Sequence, residues 1–234
     1  MGGERIDTVL RRAKADLSVV EPGGKADSLL WEHSLRVMKA AELIASLCFP
    51  HPSPIDLTAV RVAALYHDAG WAVQTRDGTV SREEILSRPT SPAQRVLAAE
   101  LLERRLGDHV PHPSLQKAIR VIRGLNDRQQ SSPEGEVVAE AETLDQIGVL
   151  SLWPTIRRQL VEGKDIQSFL EGWRRQQEYN FWEARINETL HFEPIRNLAR
   201  RRLQKFSELI SEVARLQACG DLEEALKAAD RPAR

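Results

Sequence analysis

The 234-residue chain carries 33 Lys and Arg against 34 Asp and Glu, a formal net charge of −1, so no whole-molecule attraction to a phosphate backbone or to anionic lipid follows. Hydrophobic residues at 41% and charged residues at 29% exclude wholesale disorder and fibrous architecture, and two distant cysteines, Cys48 and Cys219, exclude a disulfide framework or a structural zinc module. No apolar run approaches the roughly 18 residues that span a bilayer, and the reading is a cytoplasmic protein with neither a membrane nor a nucleic-acid polymer as partner.

Apolar residues recur at helical spacing almost throughout. Leu30, Leu35, Val37, Met38, Ala41, Leu43 and Ile44 form one apolar face; Asp27 and Ser28 offer capping oxygens at its start and Pro50 ends it. Pro54 and Asp56 open a second helix through Leu57, Val60, Val62, Ala63, Ala64 and Leu65, closing at Gly70. Residues 71–80, with the turn pair Asp77-Gly78, are the one stretch with any strand signal. Ser91-Pro92 begins a helix carrying Val96, Leu97, Leu101, Leu102 and Leu106 up to Gly107, and Ser114 begins another through Ile119, Val121 and Ile122. After a polar loop over 129–136, helix resumes over 137–152, and further helical stretches cover 156–161, 166–179, 181–190, 194–218 and 222–229. The expectation is an all-α protein, with residues 1–155 as the main helical domain and 156–234 as a helical extension packed on it.

His67-Asp68 follows Val62-Ala63-Ala64-Leu65-Tyr66, the most apolar part of its helix. Burying an imidazole beside an acid is costly unless both find partners, and the two side chains can converge on one ion beside the helix axis. His33 lies on the preceding amphipathic helix, so an antiparallel hairpin brings it to His67 and Asp68. A further carboxylate comes from Glu140, Glu142 or Asp145 in Ala139-Glu140-Ala141-Glu142-Thr143-Leu144-Asp145, where positions three apart share a face. The alternative for His67-Asp68 alone is a capped helix end in an all-helical scaffold that associates through the helix over 194–218.

Taken together, His33-Ser34-Leu35-Arg36-Val37, then Ala64-Leu65-Tyr66-His67-Asp68-Ala69-Gly70, then Ala141-Glu142-Thr143-Leu144 resemble the HD-domain metal-dependent phosphohydrolases over roughly 28–150. The resemblance implies a single HD-domain-like helical bundle with additional C-terminal helices. It implies one divalent metal ion, Mn, Fe, Co, Ni or Mg, with Zn less indicated without thiolates. His33, His67 and Asp68 fall on the family's first His and its His-Asp pair. Glu142 stands where the family has Asp, with Asp145, one turn on, as the alternative ligand or a supporting group. Arg88-Pro89 and Leu125-Asn126-Asp127 lack histidines that two-metal members carry there, which argues for one metal.

The implied activity is hydrolysis of a small phosphate ester, a nucleotide foremost, by metal-activated water. Asp68 is the catalytic candidate, orienting that water and accepting its proton. Arg36, three residues after His33, is the candidate for substrate phosphate, against a surface ion pair with Glu32. Trp71, directly after Gly70, is the candidate for the substrate pocket, whereas Trp153, Trp173 and Trp182 are expected to pin the C-terminal helices. His51, His109, His112 and His191 read as turn or surface residues. A catalytically silent HD-fold protein that binds a ligand or partner through the same cavity is the competing reading, favoured by Glu142 in the Asp position. The amphipathic C-terminal helices leave room for a homodimer.

Overall fold

The computed structural model describes residues 3–20, 26–49 and 55–229. Pro50, His51 and Pro54, read above as a helix stop, a turn histidine and a helix start, lie outside the described residues. Within them the protein is all-α: α1 (Gly3–Leu17), α2 (Leu29–Cys48), α3 (Leu57–Tyr66), α4 (Ala69–Arg76), α5 (Pro92–Leu106), α6 (His112–Gly124), α7 (Pro133–Asp145), α8 (Leu152–Val161), α9 (Ile166–Glu178), α10 (Phe181–Thr189), α11 (Glu193–Gln217) and α12 (Gly220–Ala229). Short 3-10 turns occupy Arg82–Glu84 and Val149–Ser151, and among the described residues the strand-like pairing is one isolated bridge, Val19 to Asp27.

α3 is the centre of the molecule. Val60 and every residue from Val62 to Tyr66 are inaccessible to solvent, as expected of a helix apolar all round. Its start is fixed by Asp56, whose carboxylate accepts from the backbone N–H groups of Thr58 and Ala59. α2 packs against α3 and α7, α3 also against α6, and α5 against both α4 and α6. Ser91 and Gln94 close a capping box at the start of α5, with Pro92 in its first turn.

Several boundaries differ from the sequence reading. α1 was not foreseen, although Ile6, Val9, Leu10, Ala13 and Leu17 have helical spacing, and Val9, Ala13 and Leu17 are fully buried. The second helix ends at Tyr66, not at Gly70; Gly70 lies inside α4, so residues 71–80 begin as helix rather than strand. At Gly70 a β-carbon would sit 2.1 Å from the backbone oxygen of Gln94, so glycine here permits α4 and α5 to cross closely. The helix expected over 137–152 begins at Pro133, inside the expected loop, and ends at Asp145; Gly148, with a φ of +106°, then turns the chain beside Arg202.

Candidate metal centre

The junction between α3 and α4 presents two consecutive polar residues inward. His67 leaves α3 with helical angles, and Asp68 precedes α4. Since His33 meets them, the start of α2 lies beside the end of α3. His33, His67 and Asp68 are all buried, and each offers a ligand atom within 4.8 Å of the other two. Nε2 of His33 lies 3.1 Å from Nε2 of His67, and Asp68 Oδ2 lies 3.4 Å from each.

The opposite edges of both rings are already occupied. His67 Nδ1 is 2.7 Å from the backbone oxygen of Ala64, and since a carbonyl only accepts, Nδ1 carries the proton. His33 Nδ1 is 2.8 Å from Asp145 Oδ2, which likewise accepts. In the neutral rings both Nε2 lone pairs therefore face each other and Asp68 Oδ2. That meeting of three electron-rich atoms is repulsive without a cation among them, so the donor set fits a metal ion.

Without a metal, a proton takes that role. Burial alone would lower the proton affinity of His33, but its bonds to Asp145 and Asp68 carry its pKa up to about 9. Burial also opposes ionisation of Asp68, yet the His67 imidazole and the Arg95 guanidinium hold its carboxyl well below the ordinary range. At Asp145 burial is outweighed in the same way by bonds from His33 and Arg36, and its carboxyl too is lowered.

α7 delivers three acids to three different places. Asp145 accepts from Arg36 Nε and Nη2 at 2.8 and 3.0 Å while holding His33. Arg36 thus pairs with Asp145 rather than with Glu32, which accepts from Ser28. Glu142 does not join the histidines: both its oxygens accept from Arg95 Nη2, at 2.8 and 3.0 Å. Glu140, fully buried, accepts from the backbone N–H groups of His191 and Phe192 at the start of α11.

A cavity of about 260 Å³ opens onto this centre. His33, Asp68, Glu142 and Asp145 line its floor, together with Arg36 and Arg88. Its cover comes from the C-terminal helices, with Phe169, Trp173, Phe181, Trp182 and Phe206 beside Arg158 and Arg185. Trp173 stacks edge-on against Phe206 at 5.0 Å between centroids and tilts toward Trp182 at 6.2 Å.

Trp71 does not reach this cavity. It is fully buried, its Nε1 donates to Thr90 Oγ1 at 2.8 Å, and the Arg88 guanidinium lies over its ring. The reason is the course of α4, which turns residue 71 into the core while Arg88 and Thr90 face the opening. Trp173 and Trp182, expected as packing residues, line the cavity instead, and Trp153 is largely exposed. His112 and His191 are exposed and His109 half-buried.

Arg95 is the central residue that the sequence reading missed. It is 3% exposed and donates to Asp68 Oδ1, the His67 carbonyl and Glu142. A signal was present: Arg95 stands three and four residues before Ala98 and Ala99, on the buried stripe that continues through Leu102 and Leu106. A charge in an apolar stripe needs a buried partner.

The HD domain family model matches residues 30–147. Among solved structures, a protein described as a predicted HD superfamily hydrolase from an uncultured Thermotogales bacterium is 19% identical, with 92% of each chain covered and a TM-score of 0.54. Lin1889 of Listeria innocua is 18% identical over 92% of this chain and 96% of its own, with a TM-score of 0.57. Bacillus subtilis YpgQ, solved in complex with ADP, is 19% identical over 90% of this chain and 93% of its own, also at 0.57. No protein with a curated description matches the chain. Among the described residues no helix is long and apolar enough to cross a membrane. With half of its length matched and His33, His67 and Asp68 gathered at one buried point, the chain belongs to the HD domain family.

Proposed function

We propose that the protein is a metal-dependent phosphohydrolase acting on a small phosphate ester of the nucleotide class. The observation that carries this reading is the convergence of His33 Nε2, His67 Nε2 and Asp68 Oδ2, each ring turned by a partner on its far side. A divalent ion held by these three supplies Lewis acidity and makes water nucleophilic near neutral pH. Two nitrogens and one oxygen favour Mn, Fe, Co or Ni over Mg, and a three-ligand set with open positions also suits Zn.

The chain's own groups account for the rest. Asp145 fixes the ring of His33 and, in the neutral ring, holds the proton on Nδ1, so that Nε2 is the nitrogen available to a metal. Asp68, held anionic by its neighbours, offers Oδ2 to the ion while Oδ1 is bound by Arg95, and the same depression makes it a poor proton acceptor, so its role is positioning more than general base. Arg36, a third exposed and on the cavity wall, offers charge-assisted hydrogen bonds to phosphoryl oxygens, and Arg88 stands on the same wall. The aromatic cover formed by Trp173 and Trp182 supplies flat faces for a nucleobase, a reading supported by the ADP in the YpgQ structure.

The test is metal analysis of chelator-stripped and reloaded protein, followed by turnover of nucleoside mono- and diphosphates with Mn²⁺. Stoichiometric metal that disappears in His67→Ala, with phosphate release from at least one nucleotide, is the expected result; a wild-type protein without metal rejects the reading. Metal with no turnover of any phosphate ester supports instead a ligand-binding HD protein, which the engagement of Glu142 by Arg95 favours.

A further inference from the structure

The carboxylate side of the centre is shared between two kinds of cation. Asp68 presents Oδ2 to the two histidines and Oδ1 to Arg95, whose Nη1 donates to it at 2.7 Å. The same Nη1 donates to the His67 carbonyl at 3.0 Å, and Nε donates to Asn126 Oδ1 at 3.3 Å. Nη2 takes both oxygens of Glu142. Every nitrogen of the guanidinium is thus bound, in a residue 3% exposed.

We propose that Arg95 is a fixed cation built into the centre, which holds Glu142 away from the histidines and confines the protein to one divalent ion with three protein ligands. This rests on the metal-centre reading above. The guanidinium bridges Asp68 and Glu142, the two acids that a second ion beside the first would have to share. Withdrawing Glu142 toward a metal leaves a buried guanidinium with half its charge unanswered, a costly state. A second divalent ion placed there meets that guanidinium at close range in a poorly solvated place, where like charges repel strongly. Asn126, whose amide oxygen could otherwise face an ion, is also engaged by Arg95. Among the described residues, His33, His67 and Asp68 form the only group of three His, Cys, Asp or Glu side chains close enough to hold a metal.

The experiment titrates chelator-stripped full-length protein with Mn²⁺, reading bound metal by elemental analysis and its environment by electron paramagnetic resonance. Wild-type protein is expected to bind one Mn²⁺ per chain with an uncoupled six-line spectrum. Glu142→Gln is expected to keep that ion with affinity within about 10-fold of wild type, the range of a supporting partner rather than a ligand. Arg95→Met, which leaves two acids facing each other, is expected to bind a second Mn²⁺ and give a spin-coupled spectrum. Two ions in the wild type, a larger affinity loss in Glu142→Gln, or a folded Arg95→Met that still binds one ion each overturn the proposal. Should Arg95→Met not fold, the wild-type stoichiometry and Glu142→Gln decide it. A wild type that binds no Mn²⁺ overturns this proposal and the metal-centre reading together, whereas one ion lost in Glu142→Gln overturns this proposal alone.

Discussion

Two parts of the molecule are built to different standards around one cavity. The floor belongs to α2–α7, whose inner faces are closed to water and whose buried histidines, Asp68 and Arg95 are held by named hydrogen bonds. The cover belongs to α8, α9, α10 and Phe206 of α11: α8 and α9 contain no buried residue at all, α10 contributes Ile186, and Phe206 itself is buried. Leu160, Trp153 and Tyr179 stand largely in solvent on this cover. Dense packing holds atoms to fractions of an ångström, which a ligand set requires, whereas thin packing lets a wall adjust to a bound molecule. On the proposed function, the difference would separate two tasks, holding an ion and choosing what meets it.

Substitutions that respect or violate this division test it. Gly70→Ala strikes the floor, placing a β-carbon against the α5 backbone beside Arg95; thermal unfolding should report a loss of about 3 kcal/mol. Acid–base behaviour also resides in the floor. Burial lowers the His33 pKa, and Asp145 and Asp68 raise it from 6.5 to about 9 in the folded, metal-free chain. Its folded pKa lies above the unfolded one, so the stabilisation is complete below pH 6.5 and is lost as pH rises through about 9. Denaturant titrations of stripped protein should show stability falling by on the order of 3 kcal/mol across that window.

The cover should respond otherwise. Trp173→Ala removes a cavity wall and is expected to raise KM for a nucleotide about 10-fold while metal content stays unchanged. Tyr179→Ser, on the outer side, should alter unfolding free energy by less than about 0.5 kcal/mol. A Trp173→Ala protein that loses its metal would erase the distinction between the two regions.

Much of the floor was legible from residues alone. His67-Asp68 behind a run of buried apolar residues, and His33 on the preceding amphipathic helix, carry their message locally, because helical spacing and burial are properties of short segments. Trp71 and Trp173 show where that logic stops. Trp71 is adjacent to the His-Asp pair along the chain and yet faces the core, since the chain enters a new helix at Ala69; Trp173 is over a hundred positions away and lines the cavity. The destination of Glu142 depended on Arg95, a residue on a different helix 47 positions earlier. Its position on an apolar stripe was visible, but the identity of its partners is a property of how α5 and α7 meet. The glycines divide in the same manner: Gly70 reads as a helix end, although close approach of a neighbouring backbone is its reason for being there.

Three of the five acids of α7 have a joint consequence. Glu140 clasps the entry to α11, Glu142 clasps α5 through Arg95, and Asp145 clasps α2 through His33 and Arg36. A slip of α7 by one residue would break all three at once, so its rotational setting is keyed by charge on three sides and not by apolar fit alone. One helix thereby ties the entry of the last long helix to the ring of His33, the two lying at opposite ends of the stretch from Glu140 to Asp145.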